Sequence, residues 1–296
     1  MFSFLFILLF VLISIAFFTL FEVKGLGSFH LRVGPDKVFF VGVFQPFADF
    51  LKLFFKSSYV LSFYYFFFFF FSPCFGVFLS FFIWLNYFSL FSFFSFSFGV
   101  LFFFFLSSLS IFFLLFSGLF SGSVYSKLGS FRASSQAVSY EVGMIFIFLG
   151  FLFFFPSFSL FVLFFEGWGV YFFLLSFPLF FCWFFSCIAE TGRSPFDFVE
   201  GESELVSGFN TEYFSEYFVF IFLGEYSFII FLCFLTSFFF GMGFYFLSVF
   251  LFGMIFVWVR ASFPRFRFDM LMMFCWKNML LFVMCLVYFC FFFSLF

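Results

Sequence analysis

Charge is missing from this sequence where a water-soluble chain would need it most. Between Lys56 and Lys127 no residue is formally charged, and only 9% of the 296 residues are Asp, Glu, Lys or Arg. Soluble domains carry about 25%, because a surface facing water must be solvated. With 67% hydrophobic residues and a mean hydropathy of +1.30, most of this surface has lipid as its solvent. Histidine is almost absent too: His30 is the only one. Membrane subunits that hold haem commonly use paired axial His ligands, which argues against a cytochrome b-like or haem–copper catalytic subunit. A membrane acyltransferase with His and Asp five apart is also disfavoured, since Pro35 stands at that distance from His30. No H-E-x-x-H, P-loop or G-x-S-x-G motif occurs. The seven cysteines, Cys74, Cys182, Cys187, Cys233, Cys275, Cys285 and Cys290, form no C-x-x-C pair. All lie in apolar stretches, as small buried residues do rather than metal ligands or disulfides, so no metal site is expected.

Lysine and asparagine, six and three, are scarce beside 86 phenylalanines. Apolar bulk cannot choose Phe over Leu, because both enter a bilayer with similar ease, each favourable by roughly 0.3–0.6 kcal/mol at mid-membrane. A coding strand rich in T and poor in A would make that choice, which points to an organellar genome. The first ten residues carry no positive n-region, and no small-residue cleavage site follows them, so the first apolar run is expected to be a retained span rather than a signal peptide.

A helix needs about 20 apolar residues to cross the hydrocarbon core, since unpaired backbone groups cannot be left in lipid. Eight runs qualify, near residues 2–21, 60–85, 98–120, 140–162, 170–189, 217–239, 244–262 and 275–296. The expected architecture is therefore an all-α integral membrane protein, a single transmembrane domain of eight helices over 1–296. The loops expected on one side are 22–59, 121–139, 190–216 and 263–274. Those loops and their helix ends hold every Lys and Arg of the chain: Lys24, Arg32, Lys37, Lys52 and Lys56, then Lys127 and Arg132, then Arg193, then Arg260, Arg265, Arg267 and Lys277. By the positive-inside rule this side faces the cytoplasm or its mitochondrial equivalent, the matrix. In the first loop, Asp49, Lys52 and Lys56 fall on one helical face of residues 45–56 and apolar residues on others, the pattern of a helix lying in the interface.

Acid is concentrated on that basic side. Glu190, Asp197, Glu200, Glu202, Glu204, Glu212 and Glu216 share one segment with the single cation Arg193. Ser194 suits an N-cap, Pro195 the first helical position and Asp197 the third, so a short helix is expected there, with Glu200 and Glu204 repelling on one face. A charge run is usually just a solvated loop, but Phe196, Phe198, Val199, Leu205 and Phe209 are interleaved here and want burial. Crowded carboxylates in a half-buried site can hold and pass protons near neutrality. Two more acids lie inside expected spans, Glu141 next to Tyr140 and Glu225 next to Tyr226. An ionisable group at membrane depth costs at least about 2.5–3.5 kcal/mol, and each neighbouring Tyr is a hydroxyl able to relay a proton. Glu141, near an expected helix end, could simply reach water; Glu225 is deeper. His30 is most simply a polar loop residue. Pro264 should end the helix before Arg265.

These stretches resemble subunit 1 of the respiratory NADH:ubiquinone oxidoreductase (complex I) family. The motifs are QPFADFLK at 45–52, AETGRSPFD at 189–197, EGESELVSGFNTEY at 200–213 and RASFPRFRFD at 260–269, with Trp276-Lys277-Asn278. Weaker matches are Leu31-Arg32 with Gly34-Pro35, SYEV at 139–142 and Glu225-Tyr226. The resemblance implies a proton-pumping membrane-arm subunit in the mitochondrial inner membrane. It would have no redox centre of its own, with ubiquinone as substrate and iron–sulfur clusters and FMN in partner subunits. The implied partners are other membrane-arm subunits, the soluble-arm subunits around the quinone site and membrane lipids, with no nucleic acid. By motif match, Arg32, Arg193, Phe222, Arg260, Arg265 and Arg267 would bind or shape the quinone tunnel. Glu22, Tyr140, Glu141, Glu190, Asp197, Glu200, Glu202, Glu204, Glu225 and Tyr226 would begin the acidic path toward the pumps. The sequence departs from the family at Val23, Val33 and Ser57, where basic or acidic residues are usual. A secondary transporter or ion channel would also use embedded carboxylates, but no repeated half of the transporter kind occurs. A purely structural scaffold would need neither Glu225 nor the acid cluster.

Overall fold

A computed structural model describes residues 2–38, 42–56, 66–87, 97–153, 157–160, 170–197, 208–240 and 245–294. Among them there is no strand. The helices are α1 (Phe2–Phe29), α2 (Gln45–Phe54), α3 (Phe66–Ile83), α4 (Gly99–Phe120), α5 (Val124–Leu152), α6 (Val170–Glu190), α7 (Ser215–Phe240), α8 (Tyr245–Ser262), α9 (Phe268–Met273) and α10 (Leu280–Ser294). A π-helical turn, Phe274–Met279, joins α9 to α10. Six stretches are long and apolar enough to cross a membrane: Phe4–Phe29, Phe67–Asn86, Gly99–Phe120, Val124–Leu152, Ser215–Phe240 and Phe268–Phe292. The apolar stretches Phe177–Glu190 and Phe246–Ser262 are shorter. Phenylalanine is a middling helix former, but in lipid the helix satisfies its own backbone groups, and that outweighs propensity. Outward faces of the apolar helices carry exposed Phe and Leu, such as Phe10, Phe105, Phe246 and Leu281.

Two helices organise the rest. The buried face of α5 packs against α4, α6 and α10, while α7 packs against α3, α8, α1 and α2. One continuous core joins them, with Met144, Ile147, Phe151, Trp183, Phe231 and Leu232 wholly enclosed.

Three boundaries differ from the sequence expectation. Helix α1 runs on to Phe29, so Glu22 is inside a helix and not at a loop start. The stretch 121–139, expected as a loop, is helical from Val124 onward. Its serines explain this: Ser126, Ser130, Ser134 and Ser139 turn their hydroxyls back onto carbonyls one turn earlier in the helix, Ser123, Lys127, Phe131 and Ser135. A polar sequence thus forms a helix that does not need water. Gly129 lets this helix touch the next segment; a Cβ there would lie 2.8 Å from the Gly208 Cα. Glu141 is consequently mid-helix and buried, not near a helix end. The last helix, expected from 275, begins at Phe268 after a break at 263–267 that includes Pro264.

Pro73 sits inside α3 and removes the N–H that would bond the Phe69 carbonyl. The Ser72 hydroxyl donates to that oxygen at 3.2 Å, and the Tyr213 hydroxyl also lies 3.2 Å from it. Tyr213 stacks flat on Phe69, ring centres 4.3 Å apart. Burial pushes its phenol above the ordinary value, so it stays a neutral donor. This contact fixes the segment just before α7.

Candidate functional site

Four distant parts of the chain meet around one buried carboxylate. Helix α1 supplies Glu22, 6% exposed; α8 supplies Arg260 in its last turn; α7 supplies Glu225 and Tyr226; the turn after α6 supplies Arg193. Arg260 Nη1 donates to Glu22 Oε1, and the Tyr226 hydroxyl donates to Glu22 Oε2 at 2.6 Å. Arg193 Nη2 donates to Glu225 Oε2 at 3.0 Å, with its guanidinium 4.9 Å from the centre of the Tyr226 ring. Arg260, Glu22, Tyr226, Arg193 and Glu225 therefore form a continuous chain, joined by hydrogen bonds except between Tyr226 and Arg193, where the guanidinium sits over the ring. Charges this buried persist only when paired and hydrogen-bonded.

Beside this chain is a cavity of about 110 Å³ lined by α3, α4, α5, the end of α6 and α7. Its polar side chains are Ser80, Ser110, Gln136, Glu190, Thr191, Arg193 and Glu225. One water needs about 10–15 Å³ of such space, so there is room for more than one. Behind it, Glu141 accepts a hydrogen bond from Ser107 at 2.9 Å. Glu190 is close enough to Glu141 for their charges to repel, and its Oε2 has no hydrogen-bond partner among the described residues. Tyr140 is 2% exposed with its ring 6.2 Å from that of Phe196. The Gln136 amide nitrogen donates to the Ala189 carbonyl at 2.8 Å and to the Phe196 carbonyl at 3.0 Å.

Gln136 also accounts for a correction. No helix starts at Ser194: residues 191–196 form turns and a bend, with the Phe196 N–H on the Arg193 carbonyl at 2.9 Å. Tertiary contacts override the local capping signal. The Phe196 ring stacks on Phe266, and the Phe266 N–H donates to the Pro195 carbonyl at 3.1 Å. Next to this contact, Arg265 pairs with Asp197 at 3.3 Å. Glu200, Glu202 and Glu204 lie outside the described residues.

A second space is apolar. A groove of about 550 Å³ between α1, α2 and α7 is lined by Leu12, Phe47, Phe50, Leu53, Phe222 and Tyr226, among others. The Phe222 ring stacks 6.3 Å from that of Tyr226, so the groove borders the polar chain at that tyrosine. Arg32 and Arg267 stand apart: Arg32 is exposed, and Arg267 pairs with Asp269 on the exposed surface at 3.1 Å.

The sequence divides the candidate residues into a basic set and an acidic set; the fold interleaves them, Arg260 on Glu22, Arg193 on Glu225 and Arg265 on Asp197. Two contributors went unnoticed. Ser107 could have been suspected as a hydroxyl in an uncharged span, and Gln136 as an amide just upstream of the Tyr140-Glu141 pair. Among the described residues no group of three His, Cys, Asp or Glu is arranged to hold a metal, and the cysteines are free.

The family model described as NADH dehydrogenase matches residues 2–291. The chain is 43% identical to NADH-ubiquinone oxidoreductase chain 1 of Aedes aegypti over 275 residues, covering 91% of this chain and 88% of that protein. It is 43% identical to the chain 1 of Artemia franciscana over 294 residues, 96% and 95% of the two chains. Against the chain 1 of Lampetra fluviatilis the identity is 39% over 290 residues, 94% and 90%.

Proposed function

The chain belongs to the NADH dehydrogenase family, and on that premise we propose that it is the membrane-arm subunit of the respiratory NADH:ubiquinone oxidoreductase that shares the quinone site. It is a subunit of the oxidoreductase and works in the mitochondrial inner membrane beside other subunits of the complex. The observation that carries the reading is the chain from Arg260 to Glu225, which touches an apolar groove at Tyr226 and, at Arg193 and Glu225, a cavity that several polar side chains line. A groove of this kind suits a ubiquinone tail, with Phe222 at its wall. Reduction of a quinone consumes electrons and protons in equal number. The electrons come from iron–sulfur clusters and FMN in partner subunits; the carboxylates here answer the change in charge and proton demand.

Eight spans would put both termini on one side and all twelve Lys and Arg on the other, which supports matrix-facing segments at 22–59, 121–139, 190–216 and 263–274 in one transmembrane domain. Helix α2 would lie in the interface, with the groove roofed between it, α1 and α7. Arg193, Arg260 and Arg265 would hold the headgroup end, where guanidinium groups attract an anionic, reduced quinone, with Arg32 and Arg267 shaping the tunnel from the exposed surface. Glu22, Tyr140, Glu141, Glu190, Asp197, Glu225 and Tyr226, together with Glu200, Glu202 and Glu204, would pass the change inward. The lining of Glu190, Arg193 and Glu225 around one cavity supports this route.

Glu225→Gln keeps shape and removes the charge that Arg193 faces. The expected outcome is normal assembly, with quinone reductase activity and proton pumping falling together. Normal coupled turnover in that variant would overturn the reading.

A further inference from the structure

One buried polar side chain has no part in the scheme above. Gln136 is 2% exposed, on the face of α5 toward the turn after α6, and a bare amide in a membrane helix is costly unless bonded. Its amide nitrogen has two N–H donors, and each has an acceptor in place. One goes to the Ala189 carbonyl at the end of α6, which also accepts the Gly192 N–H at 3.2 Å. The other goes to the Phe196 carbonyl, which belongs to no regular element. Ala189 and Phe196 bracket the turns that carry Glu190 and Arg193, and Asp197 follows directly. The side-chain oxygen of Gln136 has no hydrogen-bond partner among the described residues, and the residue lines the same cavity as Glu190, Arg193 and Glu225.

We propose that Gln136 is a positioning residue: its amide clamps both ends of segment 189–196 onto α5 and so sets where Glu190 and Arg193 stand in the cavity. Other side chains serve poorly. Asn is one carbon short of spanning the two carbonyls, Met or Leu fills the space without donating, and an ionised Glu would aim oxygens at two carbonyl oxygens. Met keeps the bulk and removes only the donors, so Gln136→Met isolates the clamp. The consequence for turnover rests on the reading of this cavity as part of the coupling path; the consequence for the loop does not.

The test uses the purified, assembled complex and takes two readouts. The first is hydrogen–deuterium exchange at the amides of Thr191, Gly192 and Phe196, whose backbone bonds to Cys187, Ala189 and Arg193 hold the segment's shape. Losing both clamp bonds should speed exchange there roughly tenfold, with the amides of α4 unchanged. The second is steady-state quinone reduction, where kcat should fall several-fold with KM for a short-chain quinone unchanged, since the apolar groove is untouched. If the Met variant does not assemble, Gln136→Glu replaces it: a protonated carboxyl can donate to one carbonyl only, and exchange should speed by less. Unchanged exchange at all three amides in an assembled variant overturns the proposal. Faster exchange with unchanged kcat upholds the clamp and overturns the coupling role of this cavity.

Discussion

At Glu22 two donors converge on one carboxylate, Arg260 on one oxygen and Tyr226 on the other. Removing one partner of a buried pair leaves the other charge desolvated, which costs about 3–5 kcal/mol, whereas removing both is cheaper. Arg260→Met, which strips the buried Glu22 carboxylate of its cation, should therefore lower the thermal midpoint of the assembled complex markedly, and Glu22→Gln less so, because the Arg260 side chain is 29% exposed. The double variant should lose less than the sum of the two. Simple additivity across that cycle would mean the pair carries no coupling. Glu141 and Glu225 were legible in the sequence as acids inside spans, because an acid in an apolar run stands out; Glu22, read as the start of a loop, was not. The pairing of acid with base was not legible either. Glu22 and Arg260 are 238 positions apart, and neither local pattern nor hydropathy indicates which acid meets which base.

Elements followed from apolar runs where the run alone decides, as in α4, expected at 98–120 and observed as Gly99–Phe120. They failed where polar residues satisfy themselves, as in the serine-rich first half of α5, or where a remote group takes over a local one, as at Ser194. Tyr213 shows the second effect in a form open to test. It reaches across to a carbonyl that Pro73 deprives of its usual donor, and it stacks on the ring of the same residue. Tyr213→Phe keeps the stacking and removes the hydroxyl. The expected loss is about 1 kcal/mol, the net value of one such hydrogen bond, with faster amide exchange across 208–213. Combined with Ser72→Ala, which removes another donor to the Phe69 carbonyl, the loss should be larger than in either single variant. No change in either variant would mean that packing alone holds this segment.

Across the whole molecule, two spaces border the chain that runs from Arg260 to Glu225: a cavity lined in part by Glu190, Arg193 and Glu225, and an apolar groove at Tyr226. Neither space was visible in the sequence, since each is walled by helices remote from one another in order. The groove needs α1, α2 and α7, and the cavity needs α3 through α7. The most direct measurement is a side-chain-resolution map of the intact complex with a long-chain ubiquinone bound. Density for the isoprenoid tail should run along the groove between α1, α2 and α7, against Phe222, with the headgroup end toward the paired arginines. A quinone bound elsewhere, with that groove filled by a helix of another subunit, would contradict the account.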